Sequence, residues 1–346
     1  MRLYTLNPTQ DSRWDDLVAS HPQASVFHDK GWLKALARTY RYRSIALTST
    51  PPGERLRDGI VFCEIKSWID GSRLVSLPFA DHCEPMQNEI GNSFEFRDWM
   101  RNESQQNNWK YVEVRPVSWE TEPESLLIAN QSFWFHKLDL TPSIEQVFRR
   151  LHKNCIQRRI RRAEHEHLSY EIGTSEALSD DFYRLLMITR RRQKLLPQPR
   201  AWFRNLVACM GSKLEIRVAR KDEVPIAAML TLSHRRTVYY KYGCSNEKFH
   251  HLAGMPFLLW KLIDESKAAG ANEIDFGRTD LENDGLTQFK DRFGTERKKI
   301  TYFRYPQGAQ KKGVVASYLP MMRSIFSILP DALSSRAGSL VYRHIG

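Results

Sequence analysis

Residues 239–294 restrict the fold of this chain more than any other stretch, because the hydrophobic period changes three times within it. Alternating tyrosines predict a strand that ends at Gly243, and an apolar helical face predicts a helix that begins near Pro256. A short strand is then expected over Glu273–Phe276, with Asp275 at its carboxyl end. This alternation of strands and helices predicts a fold of the α/β (α+β) class.

The last helix of this stretch carries an unusual lysine. The helix is expected to open at Asp284, and steps of about 100° place Leu286, Phe289 and Phe293 on one face. Lys290 lies on the same face, beside Leu286. An ammonium group in an apolar stripe is costly unless it meets an anion or reaches water.

Two interpretations of Lys290 are open from the residues alone. The side chain either reaches water at the edge of the stripe or pairs with a carboxylate such as Asp275. Alternatively, it is a cation facing a cleft, where it binds phosphate or stabilises a developing oxyanion.

Several motifs recur in an order that resembles a known family. The strand ending in Asp275–Gly277 and the FKxxFG run of 289–294 are two of them. Ser25–His28 followed by Gly31-Trp32, and the basic run Lys153–Ala163, are two more. Together they resemble the Fem (FemAB-like) aminoacyltransferases, a branch of the GNAT acyltransferase superfamily.

The resemblance implies two tandem GNAT-like domains, each with a mixed, mostly antiparallel sheet flanked by helices, and a groove between them. We expect the first domain over 1–140 and the second, with the catalytic lysine, over 141–308. The tail 309–346 is basic and then apolar. We expect it to be helical and to pack on the first domain; an amphipathic contact with the inner membrane face is the alternative.

The implied activity is amide formation on an amine of a cell-envelope or polysaccharide precursor. The donor is aminoacyl-tRNA or acyl-CoA, and no permanently bound cofactor is expected. Two departures bear on this choice. His250–Met255 supplies only one glycine where acetyl-CoA enzymes carry a pyrophosphate loop, and Ser76–Pro85 resembles a polysaccharide-associated branch.

The resemblance also implies site residues. Lys290 matches the catalytic lysine, and we add Tyr240 and Tyr242, on one face of their strand, as a pair that orients the acyl group. The predicted substrate-binding residues are Lys34, Trp32, Arg190, Arg192, Asp275 and Phe289. Because no Ser-His-Asp or Cys-His set is legible, direct transfer is expected rather than a covalent acyl-enzyme.

The charge of the chain favours a polyanionic partner. Fifty-two Lys and Arg residues against 40 Asp and Glu give a formal net charge of +12. Basic blocks over 153–162 and 190–200 are either solvated faces or surfaces that follow a tRNA backbone. A non-catalytic GNAT-like scaffold that binds RNA or an anionic surface is therefore the alternative function.

Neither a metal site nor a disulfide framework is predicted. None of the five cysteines forms a CxxC pair, and the adjacent residues Asp81–Glu84 cannot all face one ion without a special loop. No signal-peptide core or bilayer-length apolar run is legible. We therefore expect a cytoplasmic monomer, with the tail as its candidate membrane contact.

Overall fold

The computed structural model describes residues 2–86, 93–118, 126–306 and 331–345. These residues form two compact units. The first takes in 2–132, 300–306 and 336–345, and the second takes in 133–299 and 331–335. The division after Ser132 falls inside a strand.

The strands, in chain order, are β1 (Tyr4–Leu6), β2 (Arg43–Thr48), β3 (Ile60–Ile65), β4 (Ser72–Val75), β5 (Trp109–Val114), β6 (Ile128–Asp139), β7 (Ser169–Gly173), β8 (Leu214–Lys221), β9 (Val224–His234), β10 (Thr237–Ser245), β11 (Glu273–Asp280) and β12 (Glu296–Tyr305). The α-helices are α1 (Arg13–Ser20), α2 (Lys30–Tyr40), α3 (Phe94–Gln106), α4 (Ile144–Arg150), α5 (Arg158–His165), α6 (Glu176–Arg192), α7 (Arg200–Met210), α8 (Gly254–Ala268), α9 (Asp284–Asp291) and α10 (Asp331–Ile345).

Each unit is built on a mixed, mostly antiparallel sheet, as predicted. In the first unit the strand order is β1-β2-β3-β4-β5-β12, and only β4 and β5 run parallel. In the second unit the order is β6-β11-β10-β9-β8-β7, and only β10 and β11 run parallel. Each parallel pair is joined by a helix, since a tight turn cannot connect parallel strands.

Local sequence signals account for the helices that position the site. Asp29 caps α2 by accepting a hydrogen bond from the backbone N–H of Gly31, and the apolar face of α2 then enters the core. Helix α8 packs closely on β9 at Gly254, where a glycine leaves the necessary space. A Cβ at this position would lie only 3.0 Å from Cβ of Ala227. Gly270, at φ +81°, follows the end of α8, and glycine is the residue that most readily adopts this conformation after a helix.

Two strand ends predicted from the sequence are wrong, for the same reason. Strand β10 does not stop at Gly243 but continues to Ser245, and β11 does not stop at Phe276 but continues to Asp280. Each strand contains a bulge near the predicted end, which interrupts the alternation without ending the strand. The basic run Lys153–Ala163 begins with a π-helical turn, Lys153–Gln157, before α5.

Helix α10 contacts the first unit. The Tyr42 hydroxyl donates to the carbonyl of Tyr342 at 2.9 Å, and Nδ1 of His344 lies 3.0 Å from Oγ of Ser67. The guanidinium of Arg73 donates to the carbonyl of His344. Residues 307–330 of the predicted tail lie outside the described residues. Within the described part of the chain, no helix is both long and apolar enough to cross a bilayer.

Candidate functional site

The parallel strands β10 and β11 separate partway along their length. They pair from Thr237–Tyr239 to Glu273–Asp275, and neither strand pairs with the other beyond these residues, although both are described to their ends. The bulges lie at the point of separation, between Tyr240 and Tyr242 and between Asp275 and Gly277. Beyond this point the two strands are no longer register partners of each other.

Lys290 lies beside this separation and is 2% exposed. Its ammonium nitrogen donates to the carbonyl oxygens of Gly277 at 3.1 Å and Arg278 at 3.0 Å, on the part of β11 that has left β10. The tip therefore does not reach water at the edge of an apolar stripe. Backbone carbonyl dipoles instead hold a buried cation in one position.

The apolar face predicted for α9 is partly wrong. Leu286 is exposed, and the buried side chains of the helix are Thr287 and Lys290. Phe293 is fully buried, and Phe289 packs edge-on against it at 5.2 Å. An eight-residue helix is too short for the average period to decide which side chains face the core.

Asp275 stabilises the bulge that brings Gly277 to Lys290. The buried Asp275 carboxylate accepts a hydrogen bond from the backbone N–H of Gly277 at 2.6 Å. Gly277 adopts φ +70°, a conformation that favours glycine. The Asp-Phe-Gly sequence at 275–277 therefore shapes the backbone that receives the lysine.

His136 is a site residue that the sequence did not reveal. It lies in β6 opposite Gly277 and is completely buried. Its Nε2 atom lies 3.3 Å from a carboxylate oxygen of Asp291, but neither ring nitrogen makes a well-formed hydrogen bond among the described residues. A polar residue within the aromatic strand sequence around 133–138 was the only available signal.

The charges around His136 keep its imidazole neutral. Burial, followed by the positive charges of Lys290 and Arg297, lowers the pKa of His136 to about 4, and Asp291 opposes this shift. Arg297 pairs with Asp291 at 3.2 Å, so the carboxylate is shared between an arginine and the imidazole. A neutral ring next to Lys290 avoids a second buried cation at the site.

Tyr240 reaches along β10 toward the beginning of α8. Its ring packs against Phe276 at 5.7 Å, and its hydroxyl oxygen lies 3.7 Å from Sδ of Met255. A Cβ at Gly243 would overlap that hydroxyl oxygen, so only glycine leaves room for it. Burial raises the pKa of Tyr240 far above its usual value and keeps the phenol protonated.

The prediction that Tyr240 and Tyr242 share one face is wrong. The bulge inserts Lys241 between them, so that Tyr240 pairs with Thr231 and Tyr242 with Leu230. Tyr242 therefore points to the opposite side of the sheet, where Nε1 of Trp202 donates to its hydroxyl at 2.9 Å. Its ring packs on Phe203. Tyr242 belongs to the packing of α7 on the sheet.

The two basic blocks meet at the loop that precedes α8. Arg192 lies 3.1 Å from Nε2 of His250 and 3.6 Å from a carboxylate oxygen of Glu247. Burial lowers the pKa of His250, and the charges of Arg192 and Arg159 lower it further. Arg190 is half-buried nearby, and its Nε atom has no partner among the described residues. These cations surround a helix N-terminus, which favours bound anions.

The two substrate-binding residues predicted in the first unit, Lys34 and Trp32, are in positions that do not indicate a binding site. Lys34 is an exposed residue of α2, as an ordinary solvated lysine would be. Trp32 is completely buried and packs on Phe27 at 5.0 Å, so in this conformation it serves the core and cannot touch a substrate.

The Asp81–Glu84 segment is structural. The Glu84 carboxylate accepts hydrogen bonds from the backbone of Ser118 at 3.1 Å and from its hydroxyl at 2.8 Å. Burial raises the pKa of the Cys83 thiol, which disfavours a thiolate nucleophile. Among the described residues, no His, Cys, Asp and Glu side chains are grouped so as to hold a metal ion.

Comparisons with known proteins agree with this geometry. Residues 150–291, which include Lys290, the strand separation and both basic blocks, match the family model described as an acetyltransferase (GNAT) domain. No curated protein matches the chain. The GNAT part of the sequence-based resemblance is confirmed for these residues.

Solved structures share the fold over nearly the whole chain. The crystal structure of FemX is 12% identical, with a TM-score of 0.67 over 94% of this chain and 100% of its own. L-PGS from Bacillus licheniformis is 13% identical, with a TM-score of 0.56 over 95% and 98%. A tandem GNAT protein from the clavulanic acid biosynthesis pathway is 10% identical, with a TM-score of 0.52 over 89% and 99%. The tandem GNAT-like fold is thus confirmed, and at these identities the likeness concerns the fold alone.

Proposed function

Starting from the GNAT match over residues 150–291, we propose that this protein is an N-acyltransferase that transfers an acyl group directly from an activated donor to an amine. The observation that carries the proposal is the ammonium of Lys290, buried against the carbonyls of Gly277 and Arg278 where β10 and β11 separate. A cation held in one position where two strands separate suits a reaction in which negative charge develops on a carbonyl oxygen.

The reaction follows from the chemistry of amide formation. The amine nitrogen attacks the carbonyl carbon of the ester or thioester, a C–N bond forms, and the carbonyl oxygen becomes an oxyanion. The oxyanion then collapses, the bond to the leaving oxygen or sulfur breaks, and the amine loses a proton to water or substrate. Lys290 stabilises the oxyanion, and Tyr240 orients the acyl group with a phenol that stays protonated.

Asp275 and Phe289 act through other residues in this scheme. Asp275 holds the Gly277 bulge that contacts Lys290, and Phe289 packs beside Phe293 to fix α9. Loss of either side chain should displace Lys290, although neither side chain needs to touch the substrate. A displacement of about 1 Å at a reacting group can lower the rate about 100-fold.

The donor is proposed to be an acyl group on a phosphate-bearing carrier. Arg190 and Arg192 lie at the loop before α8, and the α5 block approaches the same loop through Arg159. These cations suit either the phosphates of acyl-CoA or the backbone of aminoacyl-tRNA. The match to a GNAT domain supports acyl-CoA, whereas the FemX-like fold over the whole chain supports aminoacyl-tRNA.

The acceptor is proposed to be an amine of a cell-envelope or polysaccharide precursor. The support is the likeness in fold to FemX, together with the motif resemblance in Ser76–Pro85. In the first unit, exposed Lys34 is the proposed contact for an acceptor phosphate.

A thermal-shift experiment tests the donor and the site together. Wild type, Lys290→Ala and Lys299→Ala, a control at an exposed lysine of β12, are each mixed with acetyl-CoA, longer acyl-CoAs, aminoacyl-tRNA or uncharged tRNA. A bound donor raises the melting temperature through ligand linkage. Stabilisation by one acyl donor, reduced in Lys290→Ala but not in Lys299→Ala, supports the proposal and identifies the carrier.

The alternative is a non-catalytic scaffold, favoured by the net charge of +12. It predicts that aminoacylated and uncharged tRNA raise the melting temperature equally and that Lys290→Ala does not change this shift. The shift should fall steeply as the salt concentration rises. That outcome would replace the acyltransferase assignment with polyanion binding.

A further inference from the structure

An exposed tryptophan marks a surface of the first unit that the proposed reaction does not use. Trp68 lies in the turn between β3 and β4 and is 88% exposed. Its neighbour Ser67 is buried and contacts His344, so the turn itself is held in place. A large aromatic side chain on an anchored turn therefore projects from the unit.

Helix α10 extends this apolar surface. The Trp68 ring meets the His344 ring edge-on at 5.7 Å. Leu340 precedes His344 by four residues and therefore lies on the same side of α10. It is 69% exposed. Trp68 and Leu340 thus form two apolar projections on one surface.

Cations surround these projections. The Lys66 side chain is 77% exposed, and both Lys110 and Arg343 are exposed. Lys110 lies against the same turn, because its Cδ would be 3.7 Å from a Cβ at Gly71.

The buried Glu64 offsets part of this charge, because Nζ of Lys66 lies 3.8 Å from its carboxylate, whereas Lys110 and Arg343 remain exposed cations. Asp70 and Glu64 are both buried. The Glu64 carboxylate accepts hydrogen bonds from Arg43 at 3.0 Å and from Nε1 of Trp109 at 3.1 Å. The outward-facing charge near Trp68 is therefore positive.

We propose that the surface of Trp68, Leu340, Lys66, Lys110 and Arg343, here called the Trp68 surface, binds the face of an anionic phospholipid bilayer. Tryptophan suits the boundary between headgroups and acyl chains, since its ring is apolar and its N–H is polar. Leucine adds buried apolar area, and the cations meet the negative headgroups. The surface holds the first unit against the membrane without any spanning segment.

A membrane fits the observations better than RNA. A phosphate backbone is bound by cations and stacked bases, and an exposed leucine adds nothing to either contact. An exposed tryptophan against α10 and an exposed leucine one turn away on that helix, together with nearby cations, are typical of interfacial membrane contacts.

Vesicle binding by the full-length protein tests this proposal. Sedimentation is measured with vesicles of phosphatidylcholine alone and of phosphatidylcholine with about one third phosphatidylglycerol, for wild type, Trp68→Ala, Leu340→Ala and Lys66→Gln. We expect binding only to the anionic vesicles. Trp68→Ala should weaken it at least about tenfold, and Lys66→Gln about fivefold.

A matched control exists on the other side of the same sheet. Phe94 is 65% exposed at the start of α3. Helix α3 packs against the side of β4 that carries Leu74, whereas the adjacent Arg73 bonds to α10. Phe94→Ala should leave vesicle binding unchanged. Brominated lipids should quench part of the tryptophan fluorescence in wild type and less in Trp68→Ala.

Four outcomes would overturn the proposal. The first is equal binding to neutral and anionic vesicles, and the second is unchanged vesicle binding in Trp68→Ala or Leu340→Ala. The third is an equal loss of vesicle binding in Phe94→Ala. The fourth is that tRNA displaces the wild-type protein from vesicles through a contact that Trp68→Ala removes, which would identify an RNA surface. A lower melting temperature in Trp68→Ala with unchanged vesicle binding would mean that the side chain packs within the protein. None of these readouts depends on acyltransfer.

Discussion

The two units each contain one parallel strand pair joined by a helix, and the two pairs end differently. In the first unit, hydrogen bonds between the β4 and β5 segments continue past the end of β4. The N–H of Ser76 donates to the carbonyl of Glu113 at 2.8 Å, and the N–H of Arg115 donates to Oγ of Ser76 at 3.0 Å. In the second unit β10 and β11 part after Tyr239 and Asp275.

The charged groups at the two ends differ in the same way. In the first unit the Glu113 carboxylate is held by Arg115 at 2.7 Å and by Arg304 at 2.6 Å, so buried charges satisfy one another. In the second unit the buried cation Lys290 is held by backbone carbonyls beside a neutral His136. At the closed end of β4 and β5 the buried charges pair with one another, whereas at the open end of β10 and β11 backbone carbonyls hold the cation.

The largest expected effect tests the closed end. Glu113→Gln leaves Arg115 and Arg304 without their shared carboxylate, and breaking a buried ion pair in this way costs about 3–5 kcal/mol of unfolding free energy. Denaturant unfolding measures the loss. Glu296→Gln, at an exposed position of β12, should stay within about 0.5 kcal/mol of wild type. A loss below about 1 kcal/mol in Glu113→Gln would show that the cluster does not stabilise this end.

The next effect tests the open end. Lys290→Met keeps the length of the side chain but removes the cation, and loss of one oxyanion-stabilising group costs about 10²–10³ in kcat. Steady-state kinetics with the donor found by thermal shift measure the change, and Lys299→Met is the control. Near-normal kcat in Lys290→Met would contradict the assigned role.

The neutral state of His136 predicts a pH dependence of stability. Its pKa is lowered to about 4 in the folded protein by burial, then by Lys290. The unfolded chain therefore binds more protons than the folded one between the unfolded value of about 6.5 and 4. Stability should be complete above the unfolded pKa and should fall by about 2–3 kcal/mol as the pH drops through this window.

His136→Phe should reduce this dependence, because a ring that cannot titrate binds no proton in either state. His250 and His344, whose pKa values are also lowered by burial, should account for the remaining dependence. Unfolding free energies measured from pH 7 to pH 4 test the change, and His251→Phe, at an exposed position, should retain the wild-type slope. An unchanged slope in His136→Phe would assign the dependence to other groups. Glu113 does not account for it: burial opposes ionisation of its carboxylate, but the charges of Arg115 and Arg304 outweigh burial and lower its pKa, so its contribution is lost at lower pH.

The smallest effect concerns the space around Tyr240. Gly243→Ala places a methyl group where the Tyr240 hydroxyl lies, and the tyrosine must move its tip. We expect about a tenfold fall in kcat/KM, which corresponds to about 1.4 kcal/mol. Gly285→Ala is the control, because a Cβ there meets nothing nearer than Oδ1 of Asn283 at 3.9 Å. Equal activity in both variants would show that Tyr240 does not position the substrate.

Candidate site residues could be predicted from the sequence where their pattern lies within a few neighbouring positions, and were missed where it depends on distant residues. Lys290 was selected because a lysine among apolar residues is visible within two turns of a helix, and Asp275 because it belongs to a short Asp-Phe-Gly run. His136 was missed, since its role depends on pairing with Gly277, a residue 141 positions away, across two strands. The shared face of Tyr240 and Tyr242 was predicted wrongly, because one inserted residue in a bulge reverses every later side chain.

The sequence by itself determined the alternation of strands and helices over residues 239–294, the fold class and the presence of a lysine among the apolar residues of α9, but it left open whether that lysine reaches water. These depend on periodicity and on glycine, proline and capping residues that act over a few positions. Tertiary structure alone decided which parallel pair opens, which tyrosine faces the opening and which histidine meets Lys290. The reason is physical: strand register, bulges and burial arise from contacts between distant segments, and a period of two or 3.6 residues carries no information about them.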